Sequence, residues 1–263
     1  MRGKIGNFLV RFFGWRATLI FGDNGVFDRW LWLRKNIDFN AKKTLDAGCG
    51  SGAFSLYIAR KGNKVIGISF NKRNNELARK RAKILKVNNI EFITADLREL
   101  QALKGKLGKL EQIICFETIE HIKGDKKLIH DFAELLEPGG KLLVTVPYKY
   151  YKRIPGEKLS KTEDGGHVCW GYTHKEMREI LEQNGFSVKN EDYITGVISQ
   201  YLMRFQRFLS RNFHPTIGWI VLLPLRPFQL LDPLVMKFVN FPYLSIGVLA
   251  VKERVVARCV VKN

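Results

Sequence analysis

The residues best placed to do chemistry begin at Leu45-Asp46-Ala47-Gly48-Cys49-Gly50-Ser51-Gly52. Gly48, Gly50 and Gly52 alternate with Cys49 and Ser51, so backbone N–H groups can crowd against a ligand that larger residues would exclude. The helix-like run that follows, Ala53 to Arg60, turns its positive end towards bound anionic groups. Asp46 stands two residues ahead of the first glycine. The spacing is G-x-G-x-G, not the G-x-G-x-x-G of dinucleotide-binding turns. A tight strand-to-helix turn without a ligand would use the same glycines. A second cluster, Cys115-Phe116-Glu117-Thr118-Ile119-Glu120-His121, carries two carboxylates and an imidazole. Imidazole suits a general base near neutral pH. His121 is the first candidate for that task and His167 the second, with Glu120 as acid–base partner. The Glu120-His121 pair could equally be a structural hydrogen-bonding unit beneath a pocket.

Such groups need a scaffold that brings loop ends together. From 44 to 147 the chain alternates strand-like and helix-like segments, as a doubly wound parallel sheet requires. Strands are expected at Thr44–Ala47, Lys64–Ile68, Ile90–Thr94, Gln112–Phe116 and Lys141–Val146, the last after the turn Glu137-Pro138-Gly139-Gly140. Helical periodicity marks Asn74–Leu85 and Lys126–Leu136. Thr173 reads as an N-cap and Glu176 as the matching capping-box residue of a helix that ends near Gly185. Phe186 onward begins another strand, and Leu244–Val251 completes a count of seven. The expected fold is α/β, a doubly wound, seven-stranded, mostly parallel sheet. It carries an N-terminal helical extension and a helical insertion before the last strand. The corresponding units are 1–40, 41–193, 194–242 and 243–263. Ligands in such sheets bind beyond the carboxyl ends of the strands, where both chemical clusters would lie. Tyr148 to Tyr172 has no regular period but ends in an aromatic cluster, which fits a lid over substrate better than a basic linker.

The run LDAGCGSG resembles motif I of the class I S-adenosylmethionine-dependent methyltransferases, and the segment order resembles that family from Thr44 to about Tyr193 and in the last strand. The resemblance implies S-adenosyl-L-methionine as cosubstrate, with no metal. Gly48, Cys49, Gly50 and Gly52 would then wrap its methionyl moiety, while Asp46 helps to hold the ammonium group. Most members place Asp or Glu at the end of the second strand to bind ribose, whereas this chain has Ser69. The pattern Gly67-Ile68-Ser69-Phe70 is similar to a branch that resembles cyclopropane-fatty-acid synthases and tocopherol methyltransferases. On that match Asn74 takes the ribose contact, although Asn71 and Asn74 could merely cap the next helix. The resemblance also implies that Asp96 accepts from the adenine amine and that the Leu97 N–H reaches a ring nitrogen; capping is the other role open to Asp96. Phe116 and Glu117 would line the donor side, while Glu120 and His121 point towards the acceptor.

The 44 Lys+Arg against 25 Asp+Glu give a net charge of +19, which attracts phosphate-rich partners. The N-terminal residues Phe8, Phe12, Trp15 and Leu19 fall at helical spacing among Arg2, Lys4, Arg11 and Arg16, as in a basic amphipathic helix. Tyr201, Phe205, Phe208 and Leu209 alternate with Arg204, Arg207 and Arg211 in the insertion. These flanks favour an anionic membrane surface and a small or lipid acceptor. Capping the active site, burial against the sheet and a dimer interface remain open readings of the same segments. A nucleic-acid methyltransferase is the less favoured alternative, since no N-P-P-Y-type motif is present. A non-catalytic membrane-associated protein that kept the fold is a third reading. The four cysteines, Cys49, Cys115, Cys169 and Cys259, show no ligand or pairing spacing. That pattern speaks for a reducing compartment and against structural zinc. A cytoplasmic protein is expected, with peripheral contact on the inner membrane face as the finer reading. The acceptor's identity and the oligomeric state are not encoded in any recognisable feature.

Overall fold

Runs of β-branched and apolar residues set the strands, and the chain orders them around one crevice. The computed structural model describes residues 4–154, 156–213 and 215–254; Arg2 of the basic N-terminus and Cys259 lie outside them. Three helices come first: α1 (Lys4–Phe13), α2 (Arg16–Ile20) and α3 (Asn24–Asn36). The doubly wound part follows as β1 (Lys43–Ala47), α4 (Ala53–Ala59), β2 (Lys64–Ser69), α5 (Lys72–Ile84), β3 (Ile90–Thr94), α6 (Lys104–Leu107), β4 (Leu110–Phe116), α7 (Asp125–Leu135) and β5 (Leu136–Pro147). Then come α8 (His174–Gln183), β6 (Phe186–Ile194), α9 (Val197–Asn212), α10 (Pro215–Leu222), α11 (Asp232–Val235) and β7 (Ser245–Lys252).

The sheet order is β3-β2-β1-β4-β5-β7-β6. β7 runs antiparallel to both β5 and β6, whereas the pairs from β3 to β5 are parallel. Strand order reverses between β1 and β4, which opens a crevice at their carboxyl ends. Strands buried on both faces account for the continuous apolar runs: Leu45, Ile68, Ile113, Ile114, Leu142 and Leu143 are all fully buried. β5 starts earlier than Lys141 because Leu136 already pairs with Leu110; pairing then resumes at Gln112 and Lys141 after Glu137–Gly140 bulge out. The α8 cap forms as its residues dictate, with Thr173 and Glu176 exchanging both capping-box bonds.

The N-terminal stripe does not form one helix. Gly14 adopts a left-handed φ of +63° and breaks it between α1 and α2. Phe8 and Phe12 stay exposed on α1, whereas Trp15 joins Trp30 and Tyr57 in an aromatic cluster and Leu19 is buried. α3 carries no clean apolar stripe in the sequence, because part of what it buries is polar: Asn24 and Asp28 are buried with Gly25, Trp32 and Leu33. Those polar groups fasten the insertion. Arg226 donates to the Leu19 carbonyl and to Asn24 Oδ1, and Gln229 Nε2 donates to Asp28 Oδ1 at 3.2 Å. Asp232 accepts the Ile198 and Ser199 N–H groups at the start of α9.

Burial pushes the Asp28 carboxyl up to about 7; Asp232 adds to this, while Ser199, Thr195 and Arg29 oppose it. A folded-state value raised above the unfolded one stabilises fully at low pH and is lost as pH rises through the folded value. The full loss is on the order of 4 kcal/mol. We predict that Asp28→Asn gains about 2–3 kcal/mol relative to the parent between pH 5 and pH 8. Denaturant melts of both proteins at the two pH values check this; a pH-independent difference would contradict it.

Candidate active site

Two cavities meet at the carboxyl end of β4. The first, about 240 Å³, opens over the glycine turn, and Gly48, Gly50, Ser69, Phe70, Asn74, Asp96, Leu97 and Glu117 line it. The second, about 280 Å³, lies under α9 and the segment after β5; its wall includes Arg29, Glu120, His167, Gln200, Met203, Arg204 and Arg207. Glu117 and His121 line both.

The glycine turn is shaped by its own bonds. Gly48 and Cys49 donate to the Ile68 carbonyl, and Gly52 donates to that of Cys49. Gly50 makes no such bond among the described residues. Gly48 has φ +85°, and a Cβ there would stand 2.1 Å from Thr118 Oγ1. Only glycine lets the turn approach the β4 loop so closely. At Gly50, with φ +51°, a Cβ would meet nothing within 4 Å.

Four expected cofactor residues lie behind the wall, not on it. Asp46 is buried and accepts from the Ser55 hydroxyl, which ties the turn to α4; burial pushes its carboxyl up to about 7. It therefore braces the loop from behind the cavity wall. Cys49 is buried beside Asn75 and Gly67, and Gly52 caps α4 against Phe92. Phe116 packs edge-on against Trp32 and Phe54.

On the wall, the Asn71 side chain caps α5 by accepting from the Asn74 N–H, which leaves the Asn74 side chain at the cavity. Ser69 Oγ accepts from the Asn71 N–H at 3.3 Å, so the missing acid is replaced by a turn-bracing hydroxyl. Asp96 caps the 3₁₀ turn at Leu97 by accepting the Arg98 N–H, and also binds the Arg98 guanidinium. That guanidinium holds the Asp96 carboxyl below its usual range. Capping and cavity lining thus coexist in this residue.

At the junction Glu117 has a left-handed φ of +46°, a strained position for a non-glycine residue. Its N–H donates to the Thr145 carbonyl at 2.8 Å, and its carboxylate lies 3.5 Å from the Arg29 guanidinium. Glu120 is fully buried, and neither carboxylate oxygen has a hydrogen-bond partner among the described residues. Burial, then the neighbouring Glu117 charge, raise its carboxyl well above the usual range. The His121 ring lies 4.8 Å from that of His167. Burial and His121 both lower the His167 imidazole.

His167 comes from the segment after β5, and that segment is closed. The Val168 N–H donates to the Glu120 carbonyl at 2.8 Å. Glu163 accepts from the Lys123 N–H and from Arg98, and with Gly165 it forms part of the first cavity's wall. The segment therefore roofs both cavities, as a lid would.

Sequence reasoning missed Thr118 and Ile122 in the first cavity and Arg29 in the second. Thr118 could have been found, since it follows Glu117 in the same motif. Arg29 could not, because it sits on the helix whose polar face hid it.

A family profile described as "Methyltransferase domain" matches residues 26–191. A ubiquinone biosynthesis O-methyltransferase of Acinetobacter baylyi is 33% identical over 156 residues, covering 57% of this chain and 65% of that protein. One from Coxiella burnetii is 27% identical over 121 residues, 46% of this chain and 50% of that one. The chain thus spans about half to two thirds of the length of these relatives. Among solved structures, Haemonchus contortus phosphoethanolamine N-methyltransferase 2 with S-adenosyl-L-methionine is similar with a TM-score of 0.59 at 17% identity, over 96% of this chain and 61% of that one. Coclaurine N-methyltransferase, solved with N-methylheliamine, gives 0.55 at 17% identity, over 87% and 72%. These two likenesses speak to the fold.

Proposed function

The chain belongs to the class I S-adenosylmethionine-dependent methyltransferase family, and on that basis we propose that it moves a methyl group from S-adenosylmethionine to a hydroxyl oxygen of a small, lipophilic acceptor at a membrane surface. The observation that carries this reading is the pair of cavities sharing Glu117 and His121. Methyl transfer is an in-line displacement at a carbon already activated by positive sulfur, so the protein must mainly align the partners and exclude water. A donor in the first cavity and an acceptor in the second would meet at that shared wall. Closure by Glu163 and Val168 supports the exclusion of water. The presence of Glu120, His121 and His167 in the second cavity's wall supports activation of an acceptor hydroxyl there. The O-methyltransferase names of the relatives support oxygen as the acceptor atom.

Membrane contact is supported by the surface. Tyr201, Phe205 and Phe208 are exposed on α9 beside Arg207 and Arg211, and Phe228, Leu230, Leu234 and Phe238 are exposed further along the insertion. Monomeric proteins seldom leave so many large apolar groups uncovered without a partner surface. Basic residues among them suit anionic headgroups. Among the described residues no helix is long and apolar enough to cross a membrane. Gln200, Met203, Arg204 and Arg207 of α9 line the second cavity, so a docked helix would place that cavity next to the lipid.

Incubation with methyl-labelled S-adenosylmethionine and a bacterial lipid extract tests the proposal. Label is expected in a lipid fraction, and binding to anionic vesicles should fall when Phe205 and Phe208 are both changed to Ser. Label found only in added RNA would overturn the acceptor class.

A further inference from the structure

We infer that a third cavity, between α3, the end of β6 and the insertion, binds a small primary amine in its ammonium form. It holds about 310 Å³, at the small end of the range for ligand sites. Trp32, Tyr193 and Tyr243 give it aromatic walls, and Asp28, Asp192 and Asp232 supply three carboxylates against one cation, Lys35. On a chain of net charge +19 that local balance is the reverse of the whole. Lys35 is exposed and forms no ion pair with these carboxylates among the described residues.

The independent sign of a ligand is a pair of buried acceptors that lack donors. Asp28 is 9% exposed, and its Oδ2 has no hydrogen-bond partner among the described residues. Gln229 is 2% exposed, and its Oε1 is in the same state. The Gln229 amide cannot be turned over to relieve this. Its Nε2 lies 3.3 Å from the Asn24 carbonyl and 3.2 Å from Asp28 Oδ1, where an oxygen would face two acceptors. The Ser199 and Thr195 hydroxyls stand near Asp28, but neither has hydrogen-bond geometry to Oδ2. The neighbouring guanidinium groups are committed elsewhere, Arg226 to main-chain carbonyls and Asn24, and Arg29 to Glu117. Buried acceptors are costly to leave without donors, and the N–H groups of an ammonium supply them with charge assistance.

The other two carboxylates already have partners. Asp192 accepts from Trp32 Nε1 at 2.8 Å and from Asn190 Nδ2 at 2.6 Å, while Asp232 accepts the Ile198 and Ser199 N–H groups. They add negative field, and Asp28 is left to make the contact. The backbone is strained at the same wall: Thr195 has φ +66°, a conformation that β-branched residues seldom adopt. Tyr193 and Tyr243 stack with ring centroids 5.0 Å apart, and aromatic faces attract a cation. The need of two oxygens for N–H donors selects a primary ammonium over a quaternary one. Among the described residues these carboxylates do not come close enough together to hold a metal ion. The site stands apart from the methyl-transfer chambers and does not depend on that reading.

Calorimetric titration of the full chain with 2-phenylethylamine, in mildly alkaline buffer, tests the site. One equivalent is expected to bind saturably. Asp28→Asn should weaken binding by about thirtyfold or more, and Tyr243→Leu by about five- to thirtyfold. 2-Phenylethanol, which lacks the charge, and the trimethylated ammonium, which lacks N–H donors, should each bind at least about tenfold more weakly. Glu117→Gln, at the partition between the two methyl-transfer chambers, should bind the amine as the parent does. Thermal melts report that each variant is folded, and Tyr243→Leu carries the test alone should Asp28→Asn fail to fold. Lack of saturable binding, or equal affinity for the trimethylated compound, overturns the proposal. So does undiminished binding in Asp28→Asn and Tyr243→Leu, or a loss confined to Glu117→Gln, which would place the amine in the methyl-transfer site.

Discussion

Gly50→Asn is expected to fold and melt close to the parent, yet to lose S-adenosylmethionine affinity by about a hundredfold, or roughly 3 kcal/mol. Asparagine tolerates the left-handed conformation at low cost, and a Cβ at this position meets nothing within 4 Å. The space its side chain would fill belongs to the first cavity, where Gly50 forms part of the wall. Gly48 cannot serve the same purpose. A Cβ there would strike Thr118, so Gly48→Ala would disturb the turn and the β4 loop together. Thermal melts beside calorimetric titration with S-adenosylhomocysteine separate the effects. Parent-like affinity in Gly50→Asn would mean that the glycines serve only to pack α4 on the sheet.

Turnover should be the other large casualty of a single substitution. His121→Ala is expected to lower kcat by about 10²- to 10⁴-fold, the usual contribution of a positioned group that activates a hydroxyl. His121 lines both cavities, so its loss removes the activating group from the point where donor and acceptor would meet. Donor affinity should change far less than kcat, because the rest of the first cavity is untouched. Single-turnover transfer of labelled methyl, measured beside donor binding, gives the two numbers separately. Equal rates for variant and parent would relegate Glu120-His121 to a structural pair beneath the pocket.

Much of the architecture was legible because the relevant signals are local. Val65, Ile66 and Ile68 are strong strand formers, and Thr173 with Glu176 carries its own helix start. The G-x-G-x-G turn likewise announced a close backbone approach, and Gly48 and Gly50 do border a cavity. Residue type alone could not show which neighbours face inward. Asp46 and Phe116 lie on the strands just before the loops, so the pleat turns their side chains into the core, against Ser55 and against Trp32 and Phe54. The N-terminal stripe was misread for a different reason. Periodicity counts apolar residues and is blind to a single left-handed glycine, here Gly14. α3 escaped because its buried face is partly polar, and with it went Arg29, whose guanidinium lies 3.5 Å from the Glu117 carboxylate. The Glu120–His121–His167 cluster was present in the sequence as separate candidates; only the folded lid brings the third to the other two.

A crystal structure with S-adenosylhomocysteine bound would bear most directly on how this molecule is built to work. The nucleoside should occupy the hollow bordered by Asn74, Asp96 and Leu97, with the sulfur at the Glu117–His121 partition and aimed into the compartment beneath α9. A ligand seated elsewhere, or a sulfur turned away from that partition, would contradict the two-chamber account.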